Sequence, residues 1–237
     1  KRHWVERPSR PVLSAAAPAA WANGGIAIHD EDELFFNHAV VSLGVTILIL
    51  LGLALGPDAE ALRDAAVGAV WLATLFSGVL AFNRSFQVEL ESGALESLLL
   101  YPGPRWTIYA GKLLSNLIFV TAMVAIVVTV GVVLFGVRIP AEWPSLVGVL
   151  ALGVVGLVVL GTFYASMASR SRAREVLLPL LLFPMLVPLL LAATTASKAL
   201  LGADLMHEAG AWIRLLAAYD LVFLIATFLA FEHVIDA

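Results

Sequence analysis

The sequence contains no cysteine, and only 14% of its 237 residues are charged. The absence of cysteine excludes disulfides, thiolate metal sites and thiol catalysis. None of the five histidines lies in the middle of a long apolar run, and no two have the spacing of metal ligands. The sequence also shows no phosphate-binding loop, paired catalytic acids or nucleophile motif. These absences indicate a protein that is not an enzyme and that hydrolyses no nucleotide itself.

Hydrophobic residues are abundant instead: they make up 61% of the chain, and the mean hydropathy is +0.95. Apolar segments of about 20 residues, the length that crosses a hydrocarbon core of roughly 30 Å, recur along the sequence. The pattern predicts an all-α integral membrane bundle of six transmembrane helices, embedded in the lipid bilayer. The net charge of −4 and the lack of a basic stripe argue against nucleic acid as a partner. The predicted spans are 36–56, 62–83, 113–137, 145–168, 176–198 and 211–232.

The basic residues predict the orientation, because loops rich in lysine and arginine stay cytoplasmic. With a cytoplasmic N-terminus, ten of the fourteen Lys and Arg residues fall on the cytoplasmic side. Six spans then place the C-terminus on that side too. Residues 1–35 combine a basic start with an acidic run and form a predicted cytoplasmic segment, interfacial or disordered. Residues 36–237 form the predicted membrane domain.

Two spans carry unusual residues. Asp220 lies within the sixth span, and ionisable groups at membrane depth are functional candidates by default. The alternative is a carboxylate near the bundle interior that is hydrogen-bonded by Tyr219 or by a neighbouring helix. The fifth span holds Pro179, Pro184 and Pro188. Because proline removes a backbone donor and bends a helix, this span is either bent or broken near a transport pathway, or a kinked structural helix.

A half-polar stretch, "ELESGALESLLLYPGPRW" (89–106), separates the second and third spans. If residues 88–100 are helical, their polar positions recur at i, i+3, i+4 and i+7 and form one stripe. Leucines occupy much of the remaining surface, and two prolines end the pattern. The stretch therefore predicts an amphipathic helix at the cytoplasmic interface, either a plain connector or a docking element. The stripe comprises Glu89, Ser92, Gly93 and Glu96; the leucines include Leu95, Leu98 and Leu99; the prolines are Pro102 and Pro104.

The block "FNRSFQVELESGALESLLLYPGPRWTIYAGKLLSNL" (82–117) resembles the signature region of the haem exporter B family (CcmB). The resemblance covers roughly residues 40–237, and this block is its specific part. The matching positions are Arg84, Phe86, Glu91, Ser92, Gly93, Leu95, Glu96, Leu98, Leu100, Pro102, Pro104 and Lys112.

This resemblance implies an ABC-2-type permease subunit in the bacterial inner membrane, without a nucleotide site of its own. A partner ATPase (CcmA) would hold ATP and Mg²⁺. A haem-handling membrane protein (CcmC) and a small helper (CcmD) would complete the complex, and partner subunits would handle haem. The implied role is haem delivery, or release of a haem-loaded chaperone (CcmE), on the periplasmic side. The interfacial helix would couple to the ATPase through Glu89, Glu91, Gly93 and Glu96, flanked by Arg84, Phe86, Pro102, Pro104, Arg105 and Lys112.

Two other functions compete with this one. A generic ABC-2 exporter of a lipid, drug or polysaccharide would share a similar connector but not the whole block. A secondary transporter or a structural membrane scaffold would need no ATPase. Secondary carriers typically show internal repeats and paired ionisable groups near the bilayer midplane, and neither is evident in this sequence.

Overall fold

The computed structural model describes residues 17–91, 106–139, 143–169, 174–202 and 208–236, with side chains described from residue 36 to residue 231 except near the gaps. Helix is the only regular secondary structure in these ranges. The helices are α1 (Ala17–Leu55), α2 (Ala59–Glu91), α3 (Trp106–Phe135), α4 (Trp143–Ser169), α5 (Arg174–Leu201) and α6 (Ala209–Asp236).

Each helix contains a stretch that is long enough and apolar enough to cross a membrane, which confirms the prediction of six spans. The spans begin and end within a few residues of the predicted limits, except that the third begins seven residues earlier, at Trp106. They are Phe36–Leu55, Ala59–Gln87, Trp106–Phe135, Trp143–Ala168, Val176–Leu201 and Ala209–Phe231.

Glycines in the left-handed region end two of the helices. Gly56, with φ of +72°, follows α1, and Gly136, with φ of +60°, follows α3. Glycine has no Cβ to oppose this conformation, so it is the usual residue one position past a helix end. Asp58 then starts α2: its carboxylate accepts the backbone N–H of Glu60 at 2.9 Å. Arg63, near the start of α2, donates to the Gly136 carbonyl just after α3, so the start of α2 and the end of α3 lie at the same end of the bundle.

The chain forms two compact units, residues 1–38 and 39–237. In the first unit, the described backbone from residue 17 onward is helical and belongs to α1. Residues 1–16 lie outside the described part. The predicted interfacial position of the N-terminal segment stays a prediction.

Helix α4 is the centre of the second unit, where it contacts α2, α3, α5 and α6. Glycines on α4 let its neighbours approach closely, as small residues do between membrane helices. Gly161 lies against the ring of the fully buried Phe82 on α2, and a Cβ there would overlap that ring. Gly44 on α1 plays a similar part, since a Cβ there would lie 2.9 Å from Val127 Cγ2 on α3. Close backbone contact thus holds the bundle together.

Helix α5 is continuous through its three prolines, so it is not broken there, and the predicted bend stays a prediction. Pro184 and Pro188 lie on its exposed face, whereas Leu182, Leu186 and Leu189 are fully buried. Pro184 and Pro188 therefore face away from the bundle interior, and Pro179 is half-buried. Their position supports the structural interpretation of this helix and gives no sign of a pathway lined by them.

Candidate functional site

The predicted coupling segment lies between α2 and α3. Helix α2 runs without a break to Glu91, so residues 88–91 continue the second membrane helix and do not start a separate one. The backbone at Glu89 and Glu91 is therefore the last turn of α2. The other predicted coupling residues and three of the flanking residues lie outside the described residues: Ser92, Gly93, Leu95, Glu96, Leu98, Leu99, Pro102, Pro104 and Arg105.

A chain of polar contacts joins the two helices on either side of this segment to α4. The ammonium of Lys112 on α3 donates to the backbone carbonyl of Ser85 on α2. The Ser85 hydroxyl donates to Asn116 Oδ1 at 2.7 Å, and Asn116 Nδ2 donates to the Thr162 hydroxyl on α4 at 2.9 Å. We call these four residues, Lys112, Ser85, Asn116 and Thr162, the clamp. It ties the end of α2 and the start of α3 to the central helix.

The two ends of the clamp differ: Thr162 and Asn116 are buried, whereas Lys112 contacts Phe86, one of the predicted flanking residues. Thr162 is fully buried and Asn116 is 6% exposed, so breaking their hydrogen bond would leave polar groups without water to replace it. Lys112 Nζ lies 5.2 Å from the centroid of the Phe86 ring, within the range of a cation–π contact. A lysine near the C-terminal end of α2 also interacts favourably with the helix dipole.

The predicted flanking residues Arg84, Phe86 and Lys112 therefore lie together near the end of α2. Phe86 is buried and Arg84 is half-buried. The sequence prediction missed Ser85, Asn116 and Thr162, which complete the clamp. A signal for Asn116 was present, because an amide inside an apolar span needs a hydrogen-bonding partner on another helix or on its own. The identity of that partner was not readable from the pattern.

Tyr109 is a second residue that anchors the start of α3. This fully buried side chain donates its hydroxyl to the Val159 carbonyl on α4 at 3.2 Å. Its ring also packs between two rings of α6, with centroids 5.1 Å from Phe228 and 4.6 Å from Phe231. The start of α3, next to the coupling segment, is thus held by α2, α4 and α6.

Asp220 is buried on α6, with 5% of its surface exposed. Its carboxylate faces Gly156 on α4, where a Cβ would overlap Oδ1. Neither carboxylate oxygen has a hydrogen-bond partner in the described part of the chain. A bond from Tyr219, one of the two partners considered for this carboxylate, is wrong, because the Tyr219 hydroxyl donates to the Met185 carbonyl on α5. Adjacent helical residues point in different directions, so Tyr219 faces α5 while Asp220 faces α4.

The described residues contain no group of three His, Asp or Glu side chains placed to hold a metal ion. The clamp itself contains neither a nucleophile with an adjacent base nor a pair of carboxylates, so its chemistry is hydrogen bonding between helices. Such an arrangement can transmit movement from the α2–α3 connection to the bundle.

Known proteins resemble the chain over most of its length. The profile of the family described as CcmB protein matches residues 25–237. The chain is 28% identical to heme exporter protein B of Haemophilus influenzae over 153 residues, which are 65% of this chain and 69% of that protein. It is 32% identical to heme exporter protein B of Paracoccus denitrificans over 161 residues, which are 68% of this chain and 73% of that protein. With six membrane-spanning helices and this family match, the chain belongs to the CcmB protein family.

Proposed function

We propose that this chain is the permease subunit of an ABC-type complex for cytochrome c maturation. In this proposal a partner ATPase (CcmA) binds the α2–α3 connection and drives haem delivery, or release of a haem-loaded chaperone (CcmE), on the opposite side of the membrane. The names of the relatives, heme exporter protein B, support the link to haem. The permease has no nucleotide site of its own, since ATP and Mg²⁺ bind to the partner.

The clamp is the observation that carries the coupling part of the proposal. Segment 92–105 is attached to α2 at one end and to α3 at the other. A force on this segment therefore reaches Ser85 and Lys112 first, and through Asn116 it reaches Thr162 on α4. Because α4 also contacts α5 and α6, movement at the connection would spread through the bundle without requiring a flexible joint.

The charge of the segment supports a protein partner with a basic surface. Glu89, Glu91 and Glu96 give the connection a local negative charge, and Ser92 and Gly93 leave room for close approach. Leucines on the other side would keep the segment on the bundle. Opposite charges across an interface steer association and fix its register. The stop at Pro102 and Pro104 would keep the segment short and stiff.

The remaining partners and the location follow from the same family link. We place the protein in the bacterial inner membrane with both termini in the cytoplasm, because ten of its fourteen basic residues then lie on the cytoplasmic side. A haem-handling membrane subunit (CcmC) and a small helper (CcmD) would complete the assembly, and haem would be held by these partners.

Charge reversal tests the docking surface. Glu96→Lys should leave the protein inserted but reduce its co-purification with the ATPase about tenfold, the scale of one lost charge pair at an interface. Glu60→Lys is the matched control, because Glu60 makes the same charge change at the first turn of α2, at the other end of that helix. Equal co-purification of the Glu96→Lys variant and the unaltered protein would contradict docking at this segment.

Haem staining tests the cellular role. A strain lacking the gene should contain no covalently bound haem in its c-type cytochromes, and the unaltered gene should restore it. Normal c-type cytochromes in the deletion strain would rule out cytochrome c maturation and leave a generic exporter of a lipid, drug or polysaccharide.

A further inference from the structure

Three basic residues line a cavity at the end of the bundle opposite the clamp. Arg63 on α2, Arg138 just after α3 and Lys198 on α5 surround a space of about 480 Å³. Arg63 Nε donates to the Gly136 carbonyl at 3.3 Å, which holds its guanidinium at the turn after α3. Among the described residues of the wall, Asp64 is the one acidic residue, so there positive charges outnumber negative ones three to one. We call this cavity the basic cup.

A narrow apolar groove continues from the basic cup into the bundle. The two spaces share Val67, Val137 and Leu201, and the groove has a volume of about 60 Å³. Its wall is apolar apart from Ser197, whose hydroxyl accepts a hydrogen bond from Trp71 Nε1 at 3.4 Å. The Trp71 ring packs on Gly153 of α4, where a Cβ would overlap it. The groove is thus a built feature of α2, α3, α4 and α5.

A positively charged mouth above an apolar groove complements an amphiphile with an anionic head. We propose that the basic cup binds the phosphate of an anionic phospholipid, with part of one acyl chain in the groove. Basic pockets between membrane helices bind anionic headgroups in this way. The groove volume of about 60 Å³ is far below the 300 Å³ or more of typical pockets for larger ligands, so the groove has room for part of one acyl chain and not for a porphyrin ring. The site does not depend on the proposed function, since it lies away from the clamp.

Bound lipid would connect α2, α3 and α5 at the end of the bundle where their turns come together. A ligand that binds only the folded protein raises its free energy of unfolding by RT ln(1 + [L]/Kd), where [L] is the free ligand concentration. The lipid should therefore protect the purified protein against heat. Protection should depend on the charge of the headgroup, because a zwitterionic lipid presents a choline that the basic residues repel.

The first experiment measures lipid binding by native mass spectrometry of the purified full chain, titrated with phosphatidylglycerol and with phosphatidylcholine. The double variant Arg138→Ala/Lys198→Ala should bind phosphatidylglycerol about 25-fold more weakly, since each basic group near an anionic lipid is worth about fivefold. Arg214→Ala is the matched control: this exposed residue near the start of α6 does not line the cup, and its loss should change binding less than twofold.

The second experiment fills the junction of cup and groove. Val67→Phe should remove the thermal protection given by phosphatidylglycerol, whereas Val187→Phe, on the exposed face of α5, should keep it. If Val67→Phe does not fold, the binding of phosphatidylglycerol by the charge variants decides whether the proposal holds. Equal binding of phosphatidylglycerol and phosphatidylcholine, or an equal loss in Arg214→Ala, would overturn the proposal. Haem binding that depends on the same basic residues, with no lipid binding, would overturn it as well.

Discussion

Replacing Asn116 with leucine removes both side-chain hydrogen bonds at the middle of the clamp. Asn116 accepts from Ser85 at 2.7 Å and donates to Thr162 at 2.9 Å. Hydrogen bonds between membrane helices contribute about 0.6 kcal/mol on average and up to about 1.7 kcal/mol. Leucine has the same number of side-chain heavy atoms as asparagine and branches at the same carbon, so the change in packing is small beside the loss of two hydrogen bonds. We expect Asn116→Leu to lower the free energy of unfolding by roughly 1–3 kcal/mol, the range for two such bonds.

A double-mutant cycle isolates the part of this loss that belongs to the α3–α4 bond. Asn116→Leu, Thr162→Val and the double variant are unfolded with increasing sodium dodecyl sulfate in mixed micelles. If the two side chains are bonded, the summed decreases in the free energy of unfolding of the two single variants should exceed the decrease in the double variant by roughly 0.6–1.7 kcal/mol. The cycle compares differences, so the uncertain unfolded state in detergent largely cancels.

Thr129 supplies the matched control for this cycle. Its hydroxyl donates to the Ala125 carbonyl of its own helix at 2.7 Å, four residues earlier, and does not contact Asn116. The combination of Asn116→Leu with Thr129→Val should be additive within about 0.5 kcal/mol, as for independent sites. Additive behaviour in both cycles would refute the clamp as a connection between α3 and α4, and with it the route of force assigned to it.

Two further predictions concern packing and orientation. Gly161→Ala should destabilise the protein by about 1–3 kcal/mol, because the added Cβ overlaps a buried ring. Gly148 has open space around it, so the control Gly148→Ala should be neutral or raise stability by up to about 1 kcal/mol. Equal melting temperatures of the two variants would contradict the close packing of α4. Because the chain has no cysteine, a single introduced cysteine is the only site that a maleimide labels. Ile139→Cys, at a position that is 73% exposed, should react with an impermeant maleimide in spheroplasts, and Trp106→Cys should react only after permeabilisation. The reverse pattern would invert the assigned orientation.

The six spans were predictable because the thickness of the bilayer fixes the length of an apolar run, whatever its neighbours are. The predicted spans differ from the structure mainly at polar edges. Helix α3 begins at Trp106, seven residues before the predicted limit, and α2 continues to Glu91. Hydropathy finds where a helix leaves the hydrocarbon, but the helix itself ends where capping and backbone conformation end it. Because hydropathy does not locate the end of a helix, the coupling helix was predicted to start separately at residue 88.

The partners of polar side chains were not predictable, because a partner depends on how each helix is rotated. Asn116 and Thr162 are 46 positions apart and meet only through the contact of α3 with α4. Tyr219 was one of the two partners considered for Asp220, beside a neighbouring helix. In a helix, however, adjacent side chains diverge by about 100°, and the two residues face different neighbours. Family resemblance located Lys112 and Phe86, but it did not reveal that they touch.

Helix α4 contacts one polar side chain with which it forms a hydrogen bond and another with which it forms none. Thr162 receives the clamp, and Gly156, six residues earlier and about 9 Å along the helix, faces the unbonded Asp220 carboxylate on α6. A buried polar group without a hydrogen bond raises the free energy of the packing that buries it. The unbonded Asp220 carboxylate therefore makes the contact of α4 with α6 less favourable than it would be with a hydrogen bond. We accordingly expect a force applied at the α2–α3 connection to move α2, α3 and α4 together through the clamp, and to reach α6 through Tyr109 and through the contact of α4 with α6.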